Sequence, residues 1–233
     1  KDVILVDFCY PVAILEEMLI NSSRFTLLDH HKTAKDDVDA LDKGLIRGQD
    51  HIEFDMNRSG AGIAWDYFFP KRTRPILVDY IEDRDLWRFA LPDSHKINAF
   101  YQSFDINLKT WIENVLPRRN DPRVVYEGIS LLRLQEKFVK QICNSSLLRM
   151  ITSTDLLVPY VITPILMSEV CHELIQRTDP VSGIAMYGFH RGDGVYQYGM
   201  RSAGDLDVSK IAKQLGGGGH KDAAGFQLNY LIV

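Results

Sequence analysis

The chain has 233 residues, 45% hydrophobic and 25% charged, and its 27 Lys and Arg against 31 Asp and Glu leave a formal charge of −4. That is the composition of an ordinary soluble protein with one large or two modest domains. Its acidic balance argues against a long electrostatic footprint on duplex DNA but leaves room for a small phosphate pocket. Cys9, Cys143 and Cys171 are odd in number and widely spaced, so they fit neither a disulfide framework nor a zinc ribbon and suit a reducing compartment. No apolar segment approaches the roughly 20 residues that span a bilayer, and no signal peptide is visible. Lys1 opens almost directly into a strand, which reads as a fragment or a trimmed chain.

The first apolar run, Val3-Ile4-Leu5-Val6, stops at Asp7, and a second, Phe25 to Leu28, stops at Asp29-His30-His31. Continuous β-branched and apolar runs suit parallel strands buried on both faces. Between them Ile14, Leu15, Met18 and Leu19 recur at helical spacing behind Pro11, completing a βαβ unit. Asp7 and Asp29-His30-His31 are then expected at the carboxyl ends of neighbouring parallel strands, where open α/β sheets bind ligands. Residues 33–49 read as a polar loop with at most one short helix, and 51–55 as a strand. Asn57-Arg58-Ser59-Gly60 is a turn and helix start with Ser59 as N-cap, followed by a helix over 61–69. Pro75 opens another helix that runs into Glu82-Asp83-Arg84-Asp85-Leu86-Trp87. Residues 97–116 read as helical, with Trp111 and Ile112 in the core.

At Asp121-Pro122 a long helix begins, with Val125, Ile129, Leu132, Val139 and Ile142 expected down one face. Beyond it 156–162, 183–189 and 195–200 read as strands, 167–176 and 208–215 as helices, and Arg191-Gly192-Asp193-Gly194 as a hairpin turn. The expected organisation is a parallel α/β domain over 1–120, a connector helix over 121–155 and a smaller α+β domain over 156–233.

Taken alone, Asp29-His30-His31 is a weak motif, since a helix-start Asp followed by surface histidines would look the same. A second strand-end carboxylate, Asp7, and the acidic cluster at 82–85 turn the balance toward a divalent-metal site. The cluster's bland alternative is a solvated helix end with internal ion pairs. In the C-terminal domain, Gly216 to Gly219 precede His220, Lys221 and Ala223-Ala224-Gly225-Phe226. Glycines let backbone N–H groups approach a ligand closely, and Arg201 can hold a phosphate bidentately. A flexible tether is the alternative; the residues that follow favour a phosphate cradle.

These motifs resemble the DHH phosphoesterases that carry a C-terminal DHH-associated domain, a family that includes nano-RNases and RecJ-type exonucleases. Leu28-Asp29-His30-His31 carries the resemblance together with Gly217-Gly218-Gly219-His220 and Ala223-Ala224-Gly225-Phe226. Val6-Asp7-Phe8-Cys9-Tyr10-Pro11 looks like the family's second motif and Tyr80 to Trp87 like its fourth. The latter, with Ser59-Gly60 upstream, points to the oligonucleotide-degrading branch. The resemblance implies that Asp7 bridges two Mn²⁺ ions, that His30 binds one of them, and that Asp83, with Asp85 as a near rival, completes that shell. It further implies Asp29 as the carboxylate orienting His30 and His31 facing the scissile phosphate. Arg201, Ser202, Gly217, Gly218, Gly219 and His220 would hold the substrate from the other domain. The family's first motif, an Asp-rich turn after an N-terminal strand, has no counterpart before Asp7, so this chain by itself is expected to be nearly inactive.

The function so implied is metal-dependent hydrolysis of short single-stranded RNA or DNA oligonucleotides to mononucleotides, in the cytoplasm, without a membrane and compatibly with a homodimer. A cyclic-dinucleotide or phosphonucleotide substrate would use the same chemistry. The rival from another class is a non-catalytic module that binds nucleotides.

Overall fold

The apolar run ending at Asp29 becomes the middle strand of a three-stranded parallel sheet in a computed structural model that describes residues 1–151, 156–177 and 183–232. Strand β1 (Asp2–Val6), helix α1 (Val12–Asn21), strand β2 (Arg24–Asp29), helix α2 (Lys32–Ala40) and strand β3 (His51–Phe54) follow in order, and the sheet order is β1-β2-β3. Residues 25–29 of β2 are all buried, as a central parallel strand covered on both faces must be. On one face Leu15 and Leu19 of α1, Val38 of α2 and Leu41 pack on Phe25 and Leu27. Each such side chain contributes about 1.5–3 kcal/mol by leaving water. On the other face lies α3 (Gly60–Phe68), whose Ile63 is fully buried.

The span expected as a polar loop with one short helix carries helix α2 over its first half and then a single 3-10 turn, Lys43–Leu45. What positions β3 is an ion pair that hydrophobic periodicity cannot report. The Asp50 side chain is fully buried and accepts from Arg47 N, Nε and Nη2 and from the backbone N–H of Phe25, at 2.8–3.0 Å. Arg47 Nη1 in turn donates to the Ser22 carbonyl. The approach to β3 is thereby tied to the start of β2.

Helices α4 (Ile76–Asp85), α5 (Ser94–Gln102) and α6 (Leu108–Thr110, continued by a π-helical stretch Trp111–Val115) form a second cluster around Leu77, Tyr80, Ile97, Phe100 and Val115. The helical stretch expected over 97–116 is broken after Gln102. Asn107 restarts it by accepting from Thr110 N, and Ile112, expected in the core, is half exposed. Helix α7 (Arg123–Cys143) starts where Asp121 Oδ1 accepts from Arg123 N. Its buried face runs through Val124 and Gly128, the latter against the Lys96 backbone, while Ile129 faces solvent. Of the expected stripe, Val139 is buried, Val125 and Ile142 pack against core clusters, and Ile129 alone is exposed.

The chain divides into two compact units, Lys1–Gln135 and Glu136–Val233. The boundary falls inside α7. The expected connector span contains a strand, β4 (Leu147–Ile151), besides α7, because Leu147 to Ile151 pairs antiparallel with β5 (Leu156–Ile162); residues 152–155 lie outside the described residues. The second unit is a mixed sheet completed by β6 (Ile184–His190), β7 (Tyr196–Ser202), β8 (Gly218–Gly219) and β9 (Ala223–Leu228), in the order β4-β5-β6-β7-β9-β8. Only β5 and β6 run parallel. Helix α8 (Met167–Arg177) covers one face with Val170, Cys171 and Leu174, and α9 (Val208–Gln214) the other with Val208, Ile211 and Ala212. The fold class is α/β, a parallel-sheet unit followed by a smaller α+β unit. Among the described residues no helix is long and apolar enough to cross a membrane.

The Asp50–Arg47 pair has a consequence for stability. The Arg47 guanidinium and two backbone N–H groups hold the Asp50 carboxyl down at about 2, below its ordinary 3.8. A folded-state value below the unfolded one stabilises fully above pH ~4, and that contribution is lost as the pH falls toward 2. Asp50→Asn should lower the melting temperature at pH 7 by roughly 5 °C. The gap to the parent should close near pH 2, as thermal unfolding followed across pH will show.

Candidate metal centre

Asp7 follows β1 and Asp29 ends β2, so both stand at the carboxyl edge of the parallel sheet. Asp7 extends the pairing by donating its N–H to the Leu28 carbonyl at 2.8 Å, but its φ is +60°. A left-handed conformation is unusual outside glycine, although Asp tolerates it better than most residues. It swings the carboxylate over the first turn of α3, where Gly60 sits. A Cβ at Gly60 would overlap the Asp7 side chain, so glycine is a requirement of the close approach.

Across from Asp7 lies His30, almost fully buried. Its Nε2 is 3.0 Å from Asp7 Oδ1 and 3.5 Å from Asp85 Oδ2. The structure therefore brings Asp85, not Asp83, to His30. The two carboxylates are two residues apart on α4, about 200° around the helix axis, and cannot face the same way. Asp83 is buried and turned to the loop that follows: it accepts from Ala90 N at 2.8 Å and Leu91 N at 3.3 Å. Burial opposes its charge, but these bonds and one from Ser94 leave its acidity strengthened. Asp85 is pushed the other way, first by desolvation and further by the Asp7 charge, with His30 as the main opposing influence.

Asp29 is fully buried and was expected to orient the His30 ring. Its Oδ1 instead accepts from the backbone N–H groups of His30 and His31 and from His31 Nδ1, at 2.7–3.1 Å. The ring it orients is that of His31, with Nδ1 carrying the shared proton and Nε2 left at the far side. Burial disfavours the Asp29 charge, but the His31 bonds outweigh it and hold its pKa low. The same bond lifts the His31 pKa above its ordinary value. Asp29 Oδ2 is buried with no protein hydrogen-bond partner.

Sequence reasoning missed the support of this edge. Glu82, buried at the same helix end, accepts from the Ser59 backbone N–H at 2.9 Å and from its hydroxyl. Ser59 caps α3 as expected, accepting from Gly62 N at 3.0 Å. Gly62 must lack a side chain because Glu82 lies against it. Arg74 pairs with both Glu82 and Asp66. The only sequence signal was a glycine on either side of Ala61 just inside the cap.

Two features of the site fit a divalent cation. Asp7 and Asp85 converge on His30 Nε2, and Asp7, Asp29 and His31 each offer a donor atom within 4.8 Å of one another. Asp7 is common to both sets. Two carboxylates crowded about an imidazole, one with its pKa raised by that crowding, form a donor set that a hard or borderline cation relieves. No cysteine competes as a nucleophile: burial pushes the thiols of Cys9 and Cys171 up to about 12 and that of Cys143 to about 11, where the thiolate is scarce.

In the second unit, Arg201 and Ser202 lie at the end of β7, next to Ala223 and Asp222 of the β9 side. Arg201 Nη2 donates to Ser168 Oγ and Nη1 to the Met200 carbonyl, at 2.8 and 2.9 Å. The Ser202 hydroxyl donates to the Leu206 carbonyl. The glycine run is not a set of free N–H groups: Gly217 N donates to Ala212 O, and Gly218 and Gly219 pair with Gly225 and Ala224. A Cβ at Gly217 would overlap the Gly225 carbonyl. His220 turns the chain, its N–H donated to Ala223 O. The glycines are thus required first by β8 lying close on β9.

Residues 154–231 match the DHHA1 domain model. An uncharacterized protein of Acanthamoeba polyphaga mimivirus is 32% identical over 232 residues, 97% of this chain and 52% of that protein. The chain thus spans about half the length of the curated relative it matches. Among solved structures, the exonuclease RecJ bound to manganese is similar with 16% identity and a TM-score of 0.45, over 97% of this chain and 70% of that one. A pGpG-specific phosphodiesterase from Vibrio is similar with 12% identity and a TM-score of 0.42, over 88% and 77%. An exopolyphosphatase-related protein from Bacteroides fragilis is similar with 12% identity and a TM-score of 0.37, over 99% and 67%. The C-terminal third of the chain, residues 154–231, is thus similar to a DHHA1 domain, and Asp29-His30-His31 stands before it at the end of a parallel strand.

Proposed function

We propose that this chain carries the metal centre of a Mn²⁺-dependent phosphodiesterase that removes nucleotides from the end of short single-stranded oligonucleotides in the cytoplasm. The observation that carries the reading is the convergence of Asp7 and Asp85 on His30 Nε2 at the carboxyl edge of the sheet. In this reading Asp7, His30 and Asp85 would hold one ion, and Asp7 would also serve a second. Such ions would supply an activated water and charge stabilisation at the phosphorus.

The chain's own residues do the rest. Asp29 fixes the His31 ring through Nδ1, leaving Nε2 to face the phosphoryl group and hold a proton there. The raised pKa of His31 favours that charged form. Asp83 has a positioning task, since its carboxylate fastens the loop after α4 and so holds the helix end that presents Asp85. In the second unit Arg201 supplies a guanidinium for a terminal phosphate, with Ser202, His220 and Gly217 to Gly219 beside it. Rearrangement of its bond to Ser168 would free Nη2 for that contact.

Two results test the reading. His30→Ala and Asp85→Asn should each weaken Mn²⁺ binding, read by calorimetry, by about 100-fold or more and abolish release of mononucleotides from a trinucleotide. Asp83→Asn should bind Mn²⁺ within about threefold of the parent while unfolding at lower temperature. The opposite pattern, loss of the ion in Asp83→Asn alone, returns the ligand role to Asp83. Separately, Arg201→Ala should weaken oligonucleotide binding about tenfold with Mn²⁺ affinity unchanged. In the full-length protein, oligonucleotide binding with no hydrolysis in any metal would favour a binding module over an enzyme.

A further inference from the structure

Just past Asp85 the backbone does something costly. Trp87 and Phe89 both adopt left-handed conformations, with φ of 54° and 47°. For bulky residues such conformations are true outliers and cost about 1–3 kcal/mol each unless the surroundings over-determine them. The surroundings here do. The Asp83 carbonyl accepts from Arg88 N and Phe89 N, its carboxylate accepts from Ala90 N and Leu91 N, and Arg88 Nη2 donates to the Asn57 carbonyl at 2.6 Å.

The strained turn sets out a line of rings. Trp87 meets Phe89 edge to face at 5.0 Å, and Phe89 stacks flat on His95 at 3.8 Å and 11°. None of the three is buried, and Trp87 is 36% exposed. A turn that served only to reverse the chain would be easier to build from glycine or asparagine. Arg88 also ties this turn to the loop that leads into Gly60, the residue under Asp7. The first of the rings, Trp87, follows Asp85 by two residues.

We infer that Trp87, backed by Phe89 and His95, is a stacking face for a nucleobase of the single strand whose phosphate enters the Asp7, His30 and Asp85 cluster. The inference rests on the reading of the chain as an enzyme of oligonucleotides, and it adds a base-recognising element within the first unit. Exposed rings accept any base by its π-face, so the contact selects for a base, not for a sequence. An aromatic plane beside the reacting phosphate also fixes the nucleotide's position along the strand.

The test is calorimetric binding in chelator, where nothing turns over, of an adenylate trinucleotide and of a trimer with tetrahydrofuran abasic sites. The parent should prefer the base-bearing trimer, and Trp87→Ala should lose about tenfold for it and nothing for the abasic one. Trp87→Phe should retain most of the preference. Trp87→Gly separates ring from backbone, because glycine accepts the left-handed φ without strain. It should unfold at a higher temperature than Trp87→Ala yet bind the base-bearing trimer no better. Recovery of affinity in Trp87→Gly, equal losses for both trimers, or a parent that binds both equally or neither would each overturn the stacking face. Failure of the enzymatic reading would show differently, as base-dependent binding without hydrolysis by the full-length protein when Mn²⁺ is restored.

Discussion

The first unit is organised around the approach of two carboxylates to one imidazole. Asp7 and Asp85 come from different elements, a strand end and a helix end, and like charges so placed repel unless something fixes them. Asp7 is fixed by a left-handed φ and by the absence of a side chain on Gly60. Asp85 is fixed by the helix that carries it, and that helix is anchored by Glu82 on Ser59 and by Arg74. The pKa of Asp85, raised by burial and by Asp7, is the signature of the crowding. Such an arrangement stores repulsion that a cation would remove, which links the fold to the chemistry more directly than any single residue type.

The second unit meets a different constraint. Its glycines allow β8 to press on β9, and Gly188 and Gly199 leave room for the rings of Tyr198 and Tyr187. Close approach, of backbone at Gly217 and Gly219 and of tyrosine rings at Gly188 and Gly199, is what these four positions share. A substrate role for 217–220 has to coexist with that packing, since some of those N–H groups already have partners.

Much of this was legible in the sequence. Apolar runs that stop at Asp7 and Asp29 place both at strand ends, and the helical spacing between them demands a parallel pair. Ser59 announced its cap. What could not be read depended on angles. Periodicity says that α7 has an apolar face, but Val124 and Ile129 both fit one, and only packing against Lys96 through Gly128 chooses. Leu147 to Ile151 carries no alternation to mark it as a strand, and it becomes one because β5 offers an edge. The buried pair of Asp50 and Arg47 lies in a stretch that reads as solvated loop. The choice between Asp83 and Asp85 turned on which side of one helical turn faced His30.

That last turn of α4 works as an angular ruler. At about 100° per residue, Glu82, Asp83 and Asp85 leave the axis in three directions, and each meets a different partner: the N–H of Ser59, the turn at 90–91, and His30. What looks like a redundant acidic run is three separate addresses on one circumference. Inserting or deleting a single residue there would misdirect all three at once, while a conservative exchange at one would leave the others correctly aimed. The spacing of the charges, more than their number, is what the chain encodes at this helix end.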